Sequence, residues 1–356
     1  MEDPEGRDPG GRITRRDLVI SCLAAVMWRP QLAMGQPRLM AQAGQSYLPV
    51  RVSTLNHVSF GCADLARTVA WYERVLGIPR YAFQDYGGGG GGQTVLRVGS
   101  DEQPAYMALS QRDPESFSAP PSRRPHFCWG IEDFNVHRIF RALAEMPALA
   151  RSVLREGTTI NGVNFDGPDG APLQFNPVIA CGGVGFLGEV CDTSVVAVRR
   201  PGDPPPIQVR TMNHIKYFVT DLQRSLEWYQ KLTDMEIVTY QELEEGPRTA
   251  GYEGAPIPVL RVGSGPQHLA LIEGTGPEAF RPHVGFGVEG FDPERIMKTL
   301  ADHGVTARVR MREGITPEIL LDGPDGVGIQ LQDVTYCGGG GVLGNVCHPR
   351  ERPFPR

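Results

Sequence analysis

The chain has 356 residues, 40% hydrophobic and 21% charged, with 44 Gly, 31 Pro and a formal net charge of -6. That length suggests two domains, each able to bury a core. The acidic balance argues against nucleic acid as a partner, because phosphate neutralisation needs clustered Lys and Arg. No apolar run reaches the ~18 residues of a spanning helix.

The first forty-odd residues read as an address. Thr14-Arg15-Arg16-Asp17 places an arginine pair directly before the apolar run Leu18 to Trp28, and Ala41-Gln42-Ala43 supplies small residues for a signal peptidase. The segment 1–43 resembles a twin-arginine export signal and is set aside from the fold. The expectation is a periplasmic or secreted bacterial protein that meets the twin-arginine export machinery and keeps no stable membrane anchor.

The remainder is written twice. Thr54-Leu55-Asn56-His57-Val58 returns as Thr211-Met212-Asn213-His214-Ile215, and Asp64-Leu65 with Trp71-Tyr72 returns as Asp221-Leu222 with Trp228-Tyr229. Val95 to Ser100 recurs as Val259 to Ser264, and Arg124-Pro125-His126 as Arg281-Pro282-His283. Asp-Gly-Pro-Asp-Gly occurs at 166–170 and 322–326, and a Cys-Gly-Gly…Cys loop at 181–191 and 337–347. Six blocks in one order define two copies, 52–191 and 209–347. A Pro-rich linker, 192–208, joins them, and 348–356 forms a tail.

Each copy is doubled again. His57 to Phe60 alternates as a strand, and Asp64 to Leu76 carries apolar residues at helical spacing. Tyr81 to Gln84, Thr94 to Val98 and Tyr106 to Leu109 follow as strands. The second half repeats the order: strand His126 to Ile131, helix Val136 to Glu145, then strands near Ser152 to Arg155, Val163 to Phe165 and Leu173 to Phe175. The predicted class is α+β: two tandem domains, each of two β-α-β-β-β units. Gly87 to Gly92 reads as a flexible loop tip.

Four of the eight histidines occupy matched positions, His57, His126, His214 and His283, each opening the first strand of a unit. Duplicated first strands pair across a pseudo-twofold, so two imidazoles face each other within each sheet. Gln174 and Gln330 recur on the last strands, between apolar neighbours that point the other way. A lone strand histidine is usually a core residue; four in register suggest a site.

These units, histidines, turns and the Asp-Leu…Trp-Tyr helix resemble the vicinal oxygen chelate superfamily, which includes glyoxalase I, the bleomycin and fosfomycin resistance proteins and the extradiol dioxygenases. The resemblance implies a divalent metal, Fe(II) or Mn(II) before Zn, Ni or Cu, held by two His and one Glu, with open positions for a substrate bearing adjacent oxygens and for O₂. It assigns the metal to His214, His283 and Gln330, with His57, His126 and Gln174 as the weaker first-copy set. Gln stands where the family has Glu in both copies. It assigns acid-base catalysis to His268, whose counterpart is Tyr106. The family's tyrosine before the turn proline is replaced by Leu320 and Asn164. The implied activity is an extradiol-type dioxygenase, with a glyoxalase-like isomerase or lyase and a non-catalytic small-molecule-binding protein as rivals. Four units in one chain permit a monomer; a homodimer is the other expectation. The Cys181/Cys191 and Cys337/Cys347 pairs suit small disulfide-closed loops in an exported protein.

Overall fold

The computed structural model describes residues 49–85, 92–99, 104–112, 126–146, 150–154, 160–183, 187–194, 207–241, 256–274 and 283–347. The segment 1–43 expected to be an export signal, most of the Gly87 to Gly92 tip and of the 192–208 linker, and the C-terminal tail lie outside them.

The first copy contributes β1 (Thr54–Cys62), α1 (Leu65–Val75), β2 (Arg80–Asp85), β3 (Gly92–Val98), β4 (Ala105–Gln111), β5 (His126–Ile131), α2 (Val136–Ala144), β6 (Ala150–Leu154), β7 (Ile160–Asp166) and β8 (Pro172–Pro177). The second contributes β9 (Val209–Val219), α3 (Leu222–Leu232), β10 (Ile237–Gln241), β11 (Ile257–Arg261), β12 (His268–Glu273), β13 (His283–Val288), α4 (Pro293–Asp302), β14 (Ala307–Arg312), β15 (Thr316–Asp322) and β16 (Gly328–Asp333). This is the α+β class with two tandem domains and four β-α-β-β-β units. Each helix starts on an Asx cap: Asp64, Asn135, Asp221 and Asp292 each accept the backbone N–H three residues on. That bond satisfies one of the orphan donors of the first turn. The recurring Asp-Leu pair is therefore a helix start.

Each copy folds into one eight-stranded sheet, ordered β2-β3-β4-β1-β5-β8-β7-β6 and β10-β11-β12-β9-β13-β16-β15-β14. The two first strands of a copy run antiparallel at the sheet's centre, and each pairs in parallel with the last strand of its own unit. His57 and His214 sit inside their strands rather than opening them, because Thr54-Leu55 and Val209 to Met212 already pair with β5 and β13. His126 and His283 do open theirs.

One apolar core runs through both copies, from Leu55 and Trp129 to Tyr229 and Leu331. Aromatic rings knit the copies together. Tyr229 meets Trp129 edge-on with centroids 5.8 Å apart, Phe127 meets Tyr217 at 5.0 Å, and Trp228 stacks on Phe165 at 6.2 Å. Such pairs add to plain burial by about 0.5–1.5 kcal/mol each. Both loop disulfides, Cys181–Cys191 and Cys337–Cys347, are formed, while Cys62 and Cys128 are buried free thiols.

Candidate functional site

Strand register lines up one rung of side chains across the centre of each sheet. In the first copy it reads Tyr106, His57, Cys128, Gln174, Asn164. In the second it reads His268, His214, Gly285, Gln330, Leu320. His126 and His283 lie one step away, two residues before Cys128 and Gly285 on the same strand face. The topology thus gathers the expected residues of each copy.

In the first copy these residues border a cavity of about 150 Å³, lined by His57, Gln84, Gln93, His126, Gln174 and Asn176 among others. The Nε2 atoms of His57 and His126 approach to 3.2 Å with their rings nearly perpendicular. Asn56 sets the tautomer of His57. Its Nδ2 donates to the carbonyls of Val178 and Ala180, so its Oδ1 faces His57 Nδ1 at 2.8 Å and must accept a proton from it. His57 Nε2 then carries the ring's lone pair and faces His126 Nε2. Burial pushes His126 down to about 4, so it is neutral at neutral pH, against the opposing effect of its hydrogen bond to Gln174. Gln174 gives its amide N–H to Asn176 Oδ1 at 2.7 Å.

The second copy keeps the same frame with a different filling. Asn213 donates to Tyr336 O and faces His214 Nδ1 at 3.0 Å, fixing the same tautomer. His214 stacks on His268 at 4.7 Å and on His283 at 5.4 Å, and His283 Nε2 lies 3.1 Å from Gln330 Oε1. Burial holds His214 and His283 well below the usual imidazole range and pushes His268 down to about 3. Burial thus favours the neutral form of all three rings.

Around these rings lies a charged network. Glu318, fully buried, accepts from the guanidinium groups of Arg310 and Arg312 and from Tyr336 Oη, which donates at 2.6 Å. Arg312 also donates to Tyr336 Oη and lies over its ring. Burial would raise Glu318, but Arg312, Arg310 and Lys216 outweigh it and hold the carboxyl well below its usual range. Lys216 is buried on β9, and burial followed by Arg310 pushes it down to about 7. The first copy has Ser59, Gly162 and Ala180 where Lys216, Glu318 and Tyr336 stand.

Among the described residues, no three His, Cys, Asp or Glu side chains are grouped so as to hold a metal ion. A third donor would have to be the glutamine. The first copy offers two convergent imidazoles, one with an imposed tautomer, beside an amide: a neutral donor set that suits a divalent transition metal. The second copy places Lys216, Arg310 and Arg312 beside its rings with one carboxylate, Glu318, so its donor set is less suited to a cation than the neutral set of the first. The sequence analysis puts His214, His283 and Gln330 first, and its motifs do not include Lys216 or the β14 arginines. A lysine two residues after His214, on the same strand face, was the available signal.

The model of the Glyoxalase/Bleomycin resistance protein/Dioxygenase superfamily matches residues 211–331. No curated protein matches the sequence. Among solved structures, a catechol 2,3-dioxygenase is similar at TM-score 0.53 and 15% identity, over 79% of this chain and 88% of the other. The 2,3-dioxygenase LapB from Pseudomonas sp. KL28 is similar at TM-score 0.55 and 13% identity, over 86% and 96%. A variant of homoprotocatechuate 2,3-dioxygenase from B. fuscum is similar at TM-score 0.56 and 15% identity, over 82% and 74%. At these identities the likeness is one of fold.

Proposed function

The second repeat, residues 211–331, belongs to the Glyoxalase/Bleomycin resistance protein/Dioxygenase superfamily, and from that premise we propose that the chain is an exported enzyme whose working site is the first-repeat cavity. His57, His126 and Gln174 would hold one divalent metal, and the substrate would be a small molecule with two adjacent oxygens. The observation that carries this reading is the approach of His57 Nε2 and His126 Nε2 to 3.2 Å at the wall of a cavity of about 150 Å³.

When bound, the metal supplies a Lewis acid and a point of chelation for the two oxygens. The protein's own groups do the rest. Asn56 holds His57 in the Nδ1–H tautomer, which leaves Nε2 as a donor atom. Burial keeps His126 neutral above about pH 4, so its lone pair is not lost to a proton under ordinary conditions. Gln84, Gln93 and Asn176 present amides that orient polar substrate atoms by hydrogen bonding. Among the described residues, those that line the cavity carry no carboxylate, lysine or arginine. Extradiol-type ring cleavage is the leading activity, on the likeness of fold to the 2,3-dioxygenases.

The absence of a carboxylate from the donor set favours one rival, a protein that binds a small molecule without metal. Metal analysis decides between them. The proposal expects about one Fe or Mn per chain after reconstitution, lost in His126→Ala and retained in His283→Ala, with oxygen uptake on catechols following the metal. Metal retained by His126→Ala, or none in the parent protein, would overturn it. Export is supported by Arg15-Arg16 ahead of the apolar run and by two loop disulfides, which suit an oxidising compartment. Cell fractionation of the protein and an Arg15→Lys/Arg16→Lys variant tests that part.

A further inference from the structure

Ala180 touches the first-repeat site from behind. Its carbonyl accepts Asn56 Nδ2 at 3.0 Å, and Asn56 Oδ1 in turn accepts the Nδ1 proton of His57 at 2.8 Å. The next residue, Cys181, lines the cavity and is joined to Cys191. Gly182 lines it too, at φ 82°, where a β-carbon would lie 2.9 Å from Gln84 Nε2. Glycine alone lets the backbone sit so close to that amide in the left-handed region. Asp192, directly after Cys191, accepts the Phe83 N–H at 3.0 Å and ties the far side of the disulfide to β2, beside Gln84. One S–S bond therefore links two anchors of the cavity: Ala180, behind His57, and Asp192, on the strand that carries Gln84.

The second copy makes the same connection. Tyr336 O accepts Asn213 Nδ2, Cys337 is joined to Cys347, and Gly338 stands at φ 82° with its β-carbon point 2.8 Å from Gln241 Nε2. The inner faces of the copies are filled differently, so what recurs is the tie between disulfide and Asn-His pair. We propose that the Cys181–Cys191 disulfide is a redox clasp on the first-repeat cavity: formed, it holds Asn56, His57 and Gln84 in binding geometry, and reduced by a dithiol it releases them. Cys181 is buried and Cys191 half-buried, so the thiolate of the dithiol attacks the Cys191 sulfur. The S–S bond breaks, Cys181 leaves as a thiolate and takes a proton, and the second thiolate of the dithiol then displaces Cys191 and closes its own disulfide. Two electrons and two protons pass to the protein. The backbone bonds left at this wall, Cys181 and Gly183 N–H to Gly188 O, are individually weak in water and cannot replace the covalent link.

Heteronuclear NMR of the imidazoles in the metal-free, full-length protein tests the clasp without relying on the metal reading. In Cys181→Ser/Cys191→Ser the Nδ1–H of His57 should exchange with water at least tenfold faster than in the parent, while that of His214 stays unchanged. Cys337→Ser/Cys347→Ser should do the reverse. Mn(II) titrated into the same proteins should bind Cys181→Ser/Cys191→Ser at least tenfold more weakly than the parent. This arm rests on the first-repeat metal reading; if the parent takes no Mn(II), that reading falls and the imidazole spectrum alone decides the clasp. If the variant fails to fold, the parent is reduced with dithiothreitol and reoxidised. Loss and return of the His57 resonance in an otherwise dispersed spectrum supports the clasp, and collapse of the whole spectrum overturns it. An unchanged His57 resonance in the folded variant or the reduced parent, or equal Mn(II) affinity in variant and parent, overturns it as well.

Discussion

Asp325 of the second repeat reaches across to Thr68 in the first, accepting its hydroxyl at 2.7 Å, while its other oxygen accepts the Ala63 N–H at 3.0 Å. Asp169 returns the contact in mirror fashion, accepting the N–H and hydroxyl of Thr220 and pairing with Arg224. Both aspartates sit at positive φ, 61° and 58°, within their Asp-Gly-Pro-Asp-Gly turns. The motif thus does two jobs: it closes the turn before the last strand and clamps the partner repeat's helix start. Asp tolerates the left-handed conformation and brings the acceptor oxygens, which glycine lacks.

Replacing Asp325 by Ala should therefore destabilise the protein by about 1–3 kcal/mol, from two lost bonds and the loss of the short polar side chain that tolerates the left-handed region. Asp325→Asn should recover part of that, because Asn accepts the same backbone conformation and keeps one acceptor oxygen. Urea denaturation of the two variants checks the order. Equal stability of Asp325→Ala and the parent would remove the clamp from the argument.

Glu318 is the keystone of the second repeat's charges. Truncating one partner of a buried ion pair leaves the other uncompensated, at about 3–5 kcal/mol. Glu318→Leu should lose that much, since Arg312 is 5% exposed and cannot reach water. The double variant Arg312→Met/Glu318→Leu should be milder than Glu318→Leu alone, because it removes both charges. Denaturation midpoints for the two variants test this, and a double variant no more stable than Glu318→Leu would contradict it.

The repeat made much of this fold legible. Alternation in His126 to Ile131, helical spacing after Asp64 and the twin Asp-Gly-Pro-Asp-Gly turns each have a local cause, so they can be read along the chain. The histidines and glutamines were legible for the same reason: register follows from the strand pattern. The charge network was not. Arg312 and Glu318 are read separately as surface-type residues, and only the β14–β15 pairing turns them inward against Tyr336. Asn56 and Asn213 stood in plain view in both copies of the Asn-His pair, yet their bonds to carbonyls beyond the last strands exist only in the folded sheet.

The depressed histidines predict an acid-sensitive stability with a defined sign. His268 falls from about 6.5 unfolded to about 3 folded, so the fold favours its neutral form. That contribution is fully present above pH 6.5 and declines as pH drops toward 3, because the unfolded chain takes up the proton first. Between pH 6.5 and 5 the histidines dominate; below about 4.5 the protection from ionised Glu318 begins to be lost as well. His268→Gln should reduce the dependence of unfolding free energy on pH in the upper window by up to one proton, about 1.4 kcal/mol per unit. Urea titrations at pH 7, 6 and 5 measure it, and an unchanged slope would show that His268 does not titrate with unfolding.

Gly285 explains why the two copies orient their central histidines differently. A β-carbon there would overlap the ring of His214 at Nδ1, the atom bonded to Asn213. The first copy carries Cys128 at that point of the rung, and His57 there meets His126 edge-on instead of stacking. Gly285→Ala should thus displace His214, break its bond to Asn213 and destabilise by about 1–3 kcal/mol through overpacking. Cys128→Ala, which trims a buried thiol without adding bulk, should be milder. A heteronuclear NMR spectrum of the imidazoles reads the displacement directly: Gly285→Ala should shift the Nδ1–H resonance of His214 and leave that of His57 in place. If His214 is unmoved, the small residue at 285 is not what sets the stack.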